Sequence, residues 1–420
     1  MNNLIYGIND TPRTVKEWLL YALQQTLSIL TASVLICSIC GTNVAAGLVG
    51  AGVATLVFLV LTGFKAPLFF SNSGSTCAAV ITTLALGHDY TGVLIGGITI
   101  CIMNMAAAYV TKKVGPDWVD RLLPPIVSGT IVLIIGATLT FFIPTYAQVN
   151  GAYSLAGVIV AIITMIITVL VMHYGKGIWS TLPFLCGVVG GYIVAVVLTL
   201  TGIAPLVDFS LFSNMNLLIK PDFAFMHIDF ANFDWSTLPT IILIFGAVNL
   251  ANMGEHISDV ITCSKIVDED LTKTVGLHKT FFGDGVADLV GTIIAGQPTT
   301  TYGESLSTIV VSRVASTKVI ALAAVMTILL GFCGPFNALI VSMPNCVFAG
   351  VACCAYGCIA YSGLKVLQQV DLSKSKNMII FATMLSIGVG GMAIMMGNFK
   401  LETIAFAMIV GLILNLILKD

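Results

Sequence analysis

Apolar runs of about twenty residues, set apart by short polar stretches, dominate the chain. A helix needs about 20 apolar residues to cross the hydrocarbon core of a bilayer. Read with that ruler, the sequence predicts segments at 17–38, 43–64, 67–85, 91–111, 124–144, 152–174, 179–202, 236–262, 280–296, 299–314, 316–334, 337–361, 376–396 and 401–418. The expected fold class is an all-α membrane protein of about fourteen transmembrane segments.

A polar connection at about 205–235 interrupts the rhythm, with Asp208, Lys220, Asp222, His227, Asp229 and Asp234. It predicts an extracytoplasmic loop or a small hairpin. It also divides the chain into a first repeat at 1–204 and a second at 236–420. Seven segments on each side is an odd number, so the halves would lie in opposite orientations. That is the topology of inverted-repeat transporters.

Two segments break the pattern in matching places, the third and the tenth. One reads Lys65-Ala-Pro-Leu-Phe-Phe-Ser-Asn-Ser-Gly-Ser-Thr76, the other Gln297-Pro-Thr-Thr-Thr-Tyr-Gly-Glu-Ser-Leu-Ser-Thr308. Proline, glycine and clustered hydroxyl residues oppose an unbroken helix. A short extended piece followed by a half-helix fits better. Paired interruptions of this kind point to a transporter's binding site, and half-helix N-termini offer backbone N–H groups to a polar solute. The plain alternative is a pair of kinked or re-entrant segments with only a packing role.

Composition and charge strengthen the membrane reading. The residues are 57% hydrophobic and 9% charged, with mean hydropathy +1.01, against about 25% charged in soluble domains. A net charge of −2 gives no reason to expect a nucleic-acid partner. With the N-terminus inside, the inner loops hold Arg13, Lys16, Lys65, Lys112, Lys113, Arg121, Lys176, Lys265, Lys273, Lys279, Arg313, Lys318, Lys365, Lys374, Lys376 and Lys419. The outer loops hold Lys220 and Lys400. The positive-inside rule then places both termini in the cytoplasm, in a multi-pass protein of the cytoplasmic membrane. Eleven cysteines lie mostly in apolar stretches, where Cys acts as a small hydrophobe. Cys37 and Cys40 form a C-x-x-C with no second pair beside it.

Ionisable residues within apolar segments narrow the chemistry, because such groups are costly in lipid and mark function. The eighth segment carries Asn249, Asn252, Glu255, His256 and Asp259. Glu255 and Asp259, at i and i+4, share a helix face. Acids that can change charge near neutrality are what a proton-coupled carrier needs, so both are candidates for proton coupling. For Asp259, a cap or pair near the cytoplasmic end is the equal alternative. His256 lies about 100° from Glu255 around the helix and reads as structural. Glu304 follows Tyr302-Gly303 in the broken tenth segment, where glycine permits close approach of a ligand. Asp284 and Asp288 form a further i, i+4 pair, which either supports the broken segments by hydrogen bonds or faces a watery edge. The five histidines are scattered and no cluster has metal-ligand spacing, so neither a metal nor a cofactor is expected. An enzyme using Glu255 with Asp259 as an acid pair is the least supported reading: no nucleophile, metal cluster or cofactor motif accompanies them.

The stretch Gly254-Glu-His-Ile-Ser-Asp259 is followed by Gly276-Leu-His-Lys279, Gly283-Asp-Gly285 and Thr300-Thr-Tyr-Gly-Glu-Ser305. With Lys65-x-Pro67, Trp118 through Leu-Pro-Pro125, and Tyr356-Gly357, it resembles the nucleobase–ascorbate transporter family, on the side of the bacterial uracil permeases. The resemblance implies fourteen spans in two inverted repeats. It implies a core domain (about 14–114 and 236–334), a gate domain (about 115–204 and 335–420), and short antiparallel strands from spans three and ten. The implied activity is symport of a nucleobase with a proton, uracil or a related pyrimidine first. A purine, xanthine-like base or other small heterocycle, or an anion as in sulfate-permease relatives, is the alternative. The implied substrate contacts are Glu255 and Glu304, the backbone at Tyr302, Gly303, Ser73 and Gly74, with Ser305 after the acid and Tyr356 on the gate side. The family often dimerises through its gate domain. Several positions depart from the family pattern, among them Ser307 and Ser312, which stand where the signature has a glycine and a threonine. Ser305 replaces an asparagine, Gly74 a stacking aromatic, Asp259 a histidine, and Gln25 the histidine of a first-span Gln-His pair. Gly74 is expected to enlarge the pocket.

Overall fold

The computed structural model describes residues 4–418 except 86, 88–89, 116–123, 147, 150–151, 214, 397–398 and 402. The chain is mainly helical. In the first half α1 is Val15–Cys40, α2 Val44–Leu61, α3 Cys77–Ala85, α4 Tyr90–Val114, α5 Pro125–Leu139, α6 Leu155–Tyr174 and α7 Pro183–Leu200. In the second, α8 is Leu238–Val267, α9 Leu277–Ala295, α10 Gly303–Ser312, α11 Thr317–Phe332, α12 Gly334–Val341, α13 Asn345–Leu367, α14 Ser375–Gly390 and α15 Thr403–Ile417. Among the described residues, seven helices are long and apolar enough to cross a membrane, and four shorter apolar helices accompany them.

Local chemistry sets these boundaries. The Thr14 hydroxyl accepts the Glu17 N–H at 3.1 Å and caps α1, which ends at Gly41 with φ 69°. Asn43 caps α2 by accepting the Ala46 N–H at 2.9 Å. α2 is apolar nearly all round, as a helix deep in a core or a membrane is, and most of its residues are buried. It lies between α9 and α11, with α1 also against it. Its small residues permit this: a Cβ on Gly52 would stand 2.5 Å from the Ala324 carbonyl oxygen of α11.

The helices pack in two sets. α1, α2, α4, α8, α9 and α11 surround the broken segments, and α13 packs on α5, α6 and α7 with α14 and α15 alongside. In this second set a Cβ on Gly363 would overlap the Leu133 and Gly129 backbone of α5. The broken segments lie at the heart of the first set. β1 (Phe70–Asn72) pairs antiparallel with β4 (Thr299–Thr301), in the register Phe70↔Thr301, Ser71↔Thr300, Asn72↔Thr299. Backbone this deep must be satisfied by protein. Thr55 of α2 does so on one edge, accepting the Phe70 N–H at 3.0 Å and donating to the Phe70 carbonyl at 3.1 Å. Ser33 of α1 bonds the Ser71 hydroxyl.

Several boundaries differ from the sequence reading. The segment expected at 337–361 is broken by Ser342-Met343-Pro344 into α12 and α13, because proline resists the helical position before it. The segment expected to reach 396 stops at Gly390, with Gly391 at φ 72°, and Ile394–Met396 (β5) then pairs with Phe399–Leu401 (β6). The segment expected to run to 144 is α-helical to Leu139, tightens to a 3₁₀ turn at Thr140–Phe142 and resumes α-geometry at Ile143–Tyr146, before a small pairing of β2 (Gln148–Val149) with β3 (Ala152–Tyr153). The 205–235 connection forms 3₁₀ turns at Phe209–Phe212, Ala224–His227 and Trp235–Thr237. The hairpin alternative does not form among its described residues. Trp118, Arg121 and Lys419 lie outside the described residues.

Candidate functional site

α10 begins at Gly303, so Glu304 stands in its first turn, at the end of β4. Glu255 and Asp259 come from α8. Glu255 lies within electrostatic range of both Asp259 and Glu304. By surface exposure Glu255 is open while Glu304 and Asp259 are half-buried, so the three acids sit on the wall of a crevice. A Cβ on Gly303 or on Gly357 would meet nothing within 4 Å, and open space therefore adjoins both. From the second helix set, α13 comes close to this wall: Cys358 is in electrostatic range of Glu304.

The strand pair braces the acids. The Thr301 hydroxyl donates to Asp259 at 2.6 Å, tying α8 to β4. The Ser305 hydroxyl donates to the Gln25 side-chain oxygen at 3.0 Å, and the Gln25 amide approaches the Ser305 carbonyl at 3.4 Å. Gln25 thus anchors the start of α10 to α1. Ser73 is held within the protein by both its side chain and its backbone. Its hydroxyl accepts the Thr76 N–H at 3.4 Å, which caps the approach to α3, and it contacts the Ser75 hydroxyl at 2.9 Å. Its carbonyl accepts from the Gln297 amide at 3.0 Å, and its N–H donates to the Pro298 carbonyl at 2.9 Å. The Tyr302 N–H is likewise occupied, by the Phe69 carbonyl at 3.0 Å, and its buried hydroxyl donates to the Asn72 carbonyl at 3.4 Å. Backbone N–H groups at the half-helix start therefore come from Gly303 and Glu304, which have no backbone acceptor one turn earlier, the Glu304 N–H lying against its own carboxylate.

Gly74 does not leave the expected extra room immediately beside it. A Cβ there would touch Ile36 and Ile359, each at 3.5 Å, so aliphatic side chains from α1 and α13 already occupy that space. Tyr356 is buried in α13; from the same helix Cys358 lies in electrostatic range of Glu304, and Ile359 packs beside Gly74.

Asp284 and Asp288 are 2% and 1% exposed, which removes the watery-edge alternative. Asp284 accepts from the Asn104 amide of α4 at 2.8 Å, and Asn104 in turn accepts from Asn249 at 3.0 Å. His256, fully buried, places Nδ1 3.2 Å from the other Asp284 oxygen, with the ring turned out of hydrogen-bond alignment. Asp288 accepts from the Thr299 hydroxyl of β4 at 3.2 Å. Polar chains thus join α4, α8 and α9 to the strand pair. Asn104, Thr299, Thr301, Cys358 and Ile359 escaped the sequence reading. Asn104 carried a usable signal, a lone amide on an apolar helix; the others look like ordinary lining. Asn252, whose side-chain oxygen accepts from the Ser75 hydroxyl, was visible as a polar residue but not as a partner of the third segment.

A separate apolar cavity of about 260 Å³ lies between α3 and α8 on one side and α5, α14 and α15 on the other. Ala79, Thr82, Ile244, Phe141 and Ile404 help line it, and no ionisable group does. Its polar groups are the hydroxyls of Thr82, Thr138 and Thr403, with no charge among them, so the acid-lined crevice is the better recognition site for a base with ring N–H donors.

Residues 16–397 match the family model described as Permease family. The chain is 33% identical to the uracil permease of Bacillus caldolyticus over 423 residues, covering 100% of this chain and 95% of that one. It is 33% identical to the uracil permease of Bacillus subtilis (strain 168), covering 99% and 95%. It is 30% identical to that of Escherichia coli (strain K12), covering 100% and 95%. Among solved structures, the transmembrane domain of the cyanobacterium bicarbonate transporter BicA superposes with TM-score 0.62 at 15% identity, covering 97% of this chain and 98% of that one. SLC26A9 does so with TM-score 0.66 at 13% identity, covering 96% and 65%. At such identities these two likenesses speak for the fold, which is that of the inverted-repeat transporters. Family match, full-length relatives and apolar helices agree: the chain is an integral, multi-pass membrane permease and not an enzyme, and it belongs to the nucleobase–ascorbate transporter family alongside the bacterial uracil permeases.

Proposed function

We propose that this permease imports a nucleobase together with a proton, with uracil or a related pyrimidine as the preferred cargo. The observation that carries the reading is the meeting of Glu255 and Glu304 beside the β1–β4 pair, with open space at Gly303. A pyrimidine presents ring N–H donors and carbonyl acceptors on one edge. Carboxylates accept from the former, and the N–H groups at the start of α10 donate to the latter. Three full-length relatives named as uracil permeases support the cargo class.

In this reading fourteen spans form two inverted repeats of seven, with both termini in the cytoplasm. The first helix set is the moving core and the second the gate, and copies pair through the gate. A proton loads Glu255 or Asp259, the base binds against Glu304, and the core carries both inward past the gate. Water entering from the inside strips the proton and weakens binding. The cargo shifts the two states only through its differential affinity for them. A bicarbonate-type anion is the weaker reading, because two carboxylates would repel it. The test is uptake of labelled uracil into proteoliposomes under an imposed proton gradient, with xanthine, other bases and bicarbonate as competitors. Gradient-driven uptake blocked by pyrimidines is the expected result; uptake indifferent to the gradient removes the coupling, and block by bicarbonate alone removes the cargo.

A further inference from the structure

The C-x-x-C of α1 does not pair as its spacing suggests. The Cys37 sulfur faces α2, where a Cβ on Gly47 would overlap it. Cys40 instead faces α3, and its sulfur stands 3.2 Å from that of Cys77. Both residues are buried, at 5% and 1% exposure. A disulfide needs its sulfurs at about 2.05 Å, with χ₃ near ±90°, so closure asks for a relative movement of about 1 Å. Cys77 opens the half-helix α3, directly after the turn Ser73-Gly74-Ser75-Thr76. That turn is held by a different element, through Gln297 to the Ser73 carbonyl and to the Thr76 hydroxyl at 3.2 Å. Cys77 is also tied to that turn directly, its N–H donating to the Gly74 carbonyl at 3.2 Å, so movement at Cys77 reaches the turn beside the crevice.

We infer that Cys40 and Cys77 form an oxidisable dithiol, whose disulfide is a modification site that locks the third segment's turn to the end of α1. The step balances with a small azo or disulfide oxidant. Two S–H bonds break, one S–S bond forms, and two electrons and two protons pass to the oxidant, which leaves as a hydrazine or as two thiols. Cys37 is the internal comparison: it shares a helix with Cys40 and lies within electrostatic range of Cys77, but its sulfur packs on Gly47 of α2.

The full-length protein, in detergent and in proteoliposomes, is treated with diamide, a membrane-permeant azo oxidant, and free thiols are then alkylated. Peptide mapping is expected to find a Cys40–Cys77 crosslink, removed by dithiothreitol and absent from C40S. Hydrogen exchange across residues 73–80 is expected to slow at least fivefold in the oxidised protein, an effect absent from C40S and reversed by reductant. Gradient-driven uracil uptake should fall by a similar factor, since coupling between two sites typically spans about 5–150-fold. C40S should keep reduced-state uptake, because Cys40 lies outside the binding residues. A Cys37–Cys40 crosslink, no crosslink, or a Cys40–Cys77 crosslink with unchanged exchange would each overturn the inference. If the reduced protein takes up no uracil, the proposed cargo fails while mapping and exchange still decide the dithiol.

Discussion

Replacing Asn104 with leucine removes the joint between α4, α8 and α9. Leucine keeps the branch at Cγ but neither donates nor accepts. Two bonds disappear, Asn104 to Asp284 at 2.8 Å and Asn249 to Asn104 at 3.0 Å. All three residues are buried, Asp284 at 2% exposure being the most accessible. Hydrogen bonds between helices in membranes average about 0.6 kcal/mol each by double-mutant cycles. Stranding a buried polar partner adds about 1–3 kcal/mol. The expected loss is therefore about 2–4 kcal/mol, large for one substitution. Unfolding by SDS in mixed micelles, followed by tryptophan fluorescence, measures it. A cycle with Asn249→Leu should be less than additive, because both changes break the same bond. Stability of N104L within about 0.5 kcal/mol of the parent would refute the reasoning, since that is the range of changes touching nothing important.

Thr301→Val deletes the hydroxyl that holds Asp259 while keeping a β-branched strand residue. Gradient-driven uptake is expected to drop several-fold with the melting temperature little changed; a normal uptake rate would show that this bond is only structural. Gly52→Val forces a side chain against the Ala324 carbonyl and Ile328, and overpacking of this kind costs about 1–3 kcal/mol; a melting temperature equal to the parent's would mean that α2 and α11 are farther apart. Thr14→Ala removes the α1 cap and should cost about 0.5–2 kcal/mol by the same SDS titration. In the 205–235 connection, the Asn232 side chain and the Asn232 and Ala231 N–H groups hold the Asp229 carboxyl below the usual aspartate range. A lowered folded-state pKa gives stability that is present above the unfolded value and lost as pH falls through the folded one. Exchange protection at Ala231 and Asn232 should thus persist through mild acid and collapse only below the ordinary aspartate range; loss at neutral pH would contradict the turn.

The broken segments were readable because their chemistry is local. Pro67 and Pro298 forbid helix where the strands begin, and the Ser/Thr runs give the backbone other partners. The acids Glu255 and Glu304 stood out for the opposite reason, as charge where lipid-sized apolar runs tolerate little. Thr55, Asn104 and Thr301 did not stand out, since each matters only through a partner brought near by folding. Thr55 serves Phe70 across a helix–strand contact, and Asn104 serves an aspartate 180 residues away. The break at Pro344 was hidden by apolar residues on both sides, and the approach of Cys77 to Cys40 was hidden because spacing along a helix says nothing of which residue of another segment a side chain will meet. Gly74 shows the same limit: a missing side chain suggested space, and Ile36 and Ile359 from distant segments fill it.

The claim that Glu304 takes the cargo from the half-helix start is tested most directly by labelled uracil uptake into proteoliposomes under an inward proton gradient, parent against Glu304→Gln. Glutamine keeps the size of the side chain and removes its charge. A loss of at least tenfold in uptake, with unchanged folding by SDS titration, is the expected result, because charge-assisted hydrogen bonds are worth about 1.5–3 kcal/mol. Parental uptake by the glutamine variant would contradict the assignment of the site.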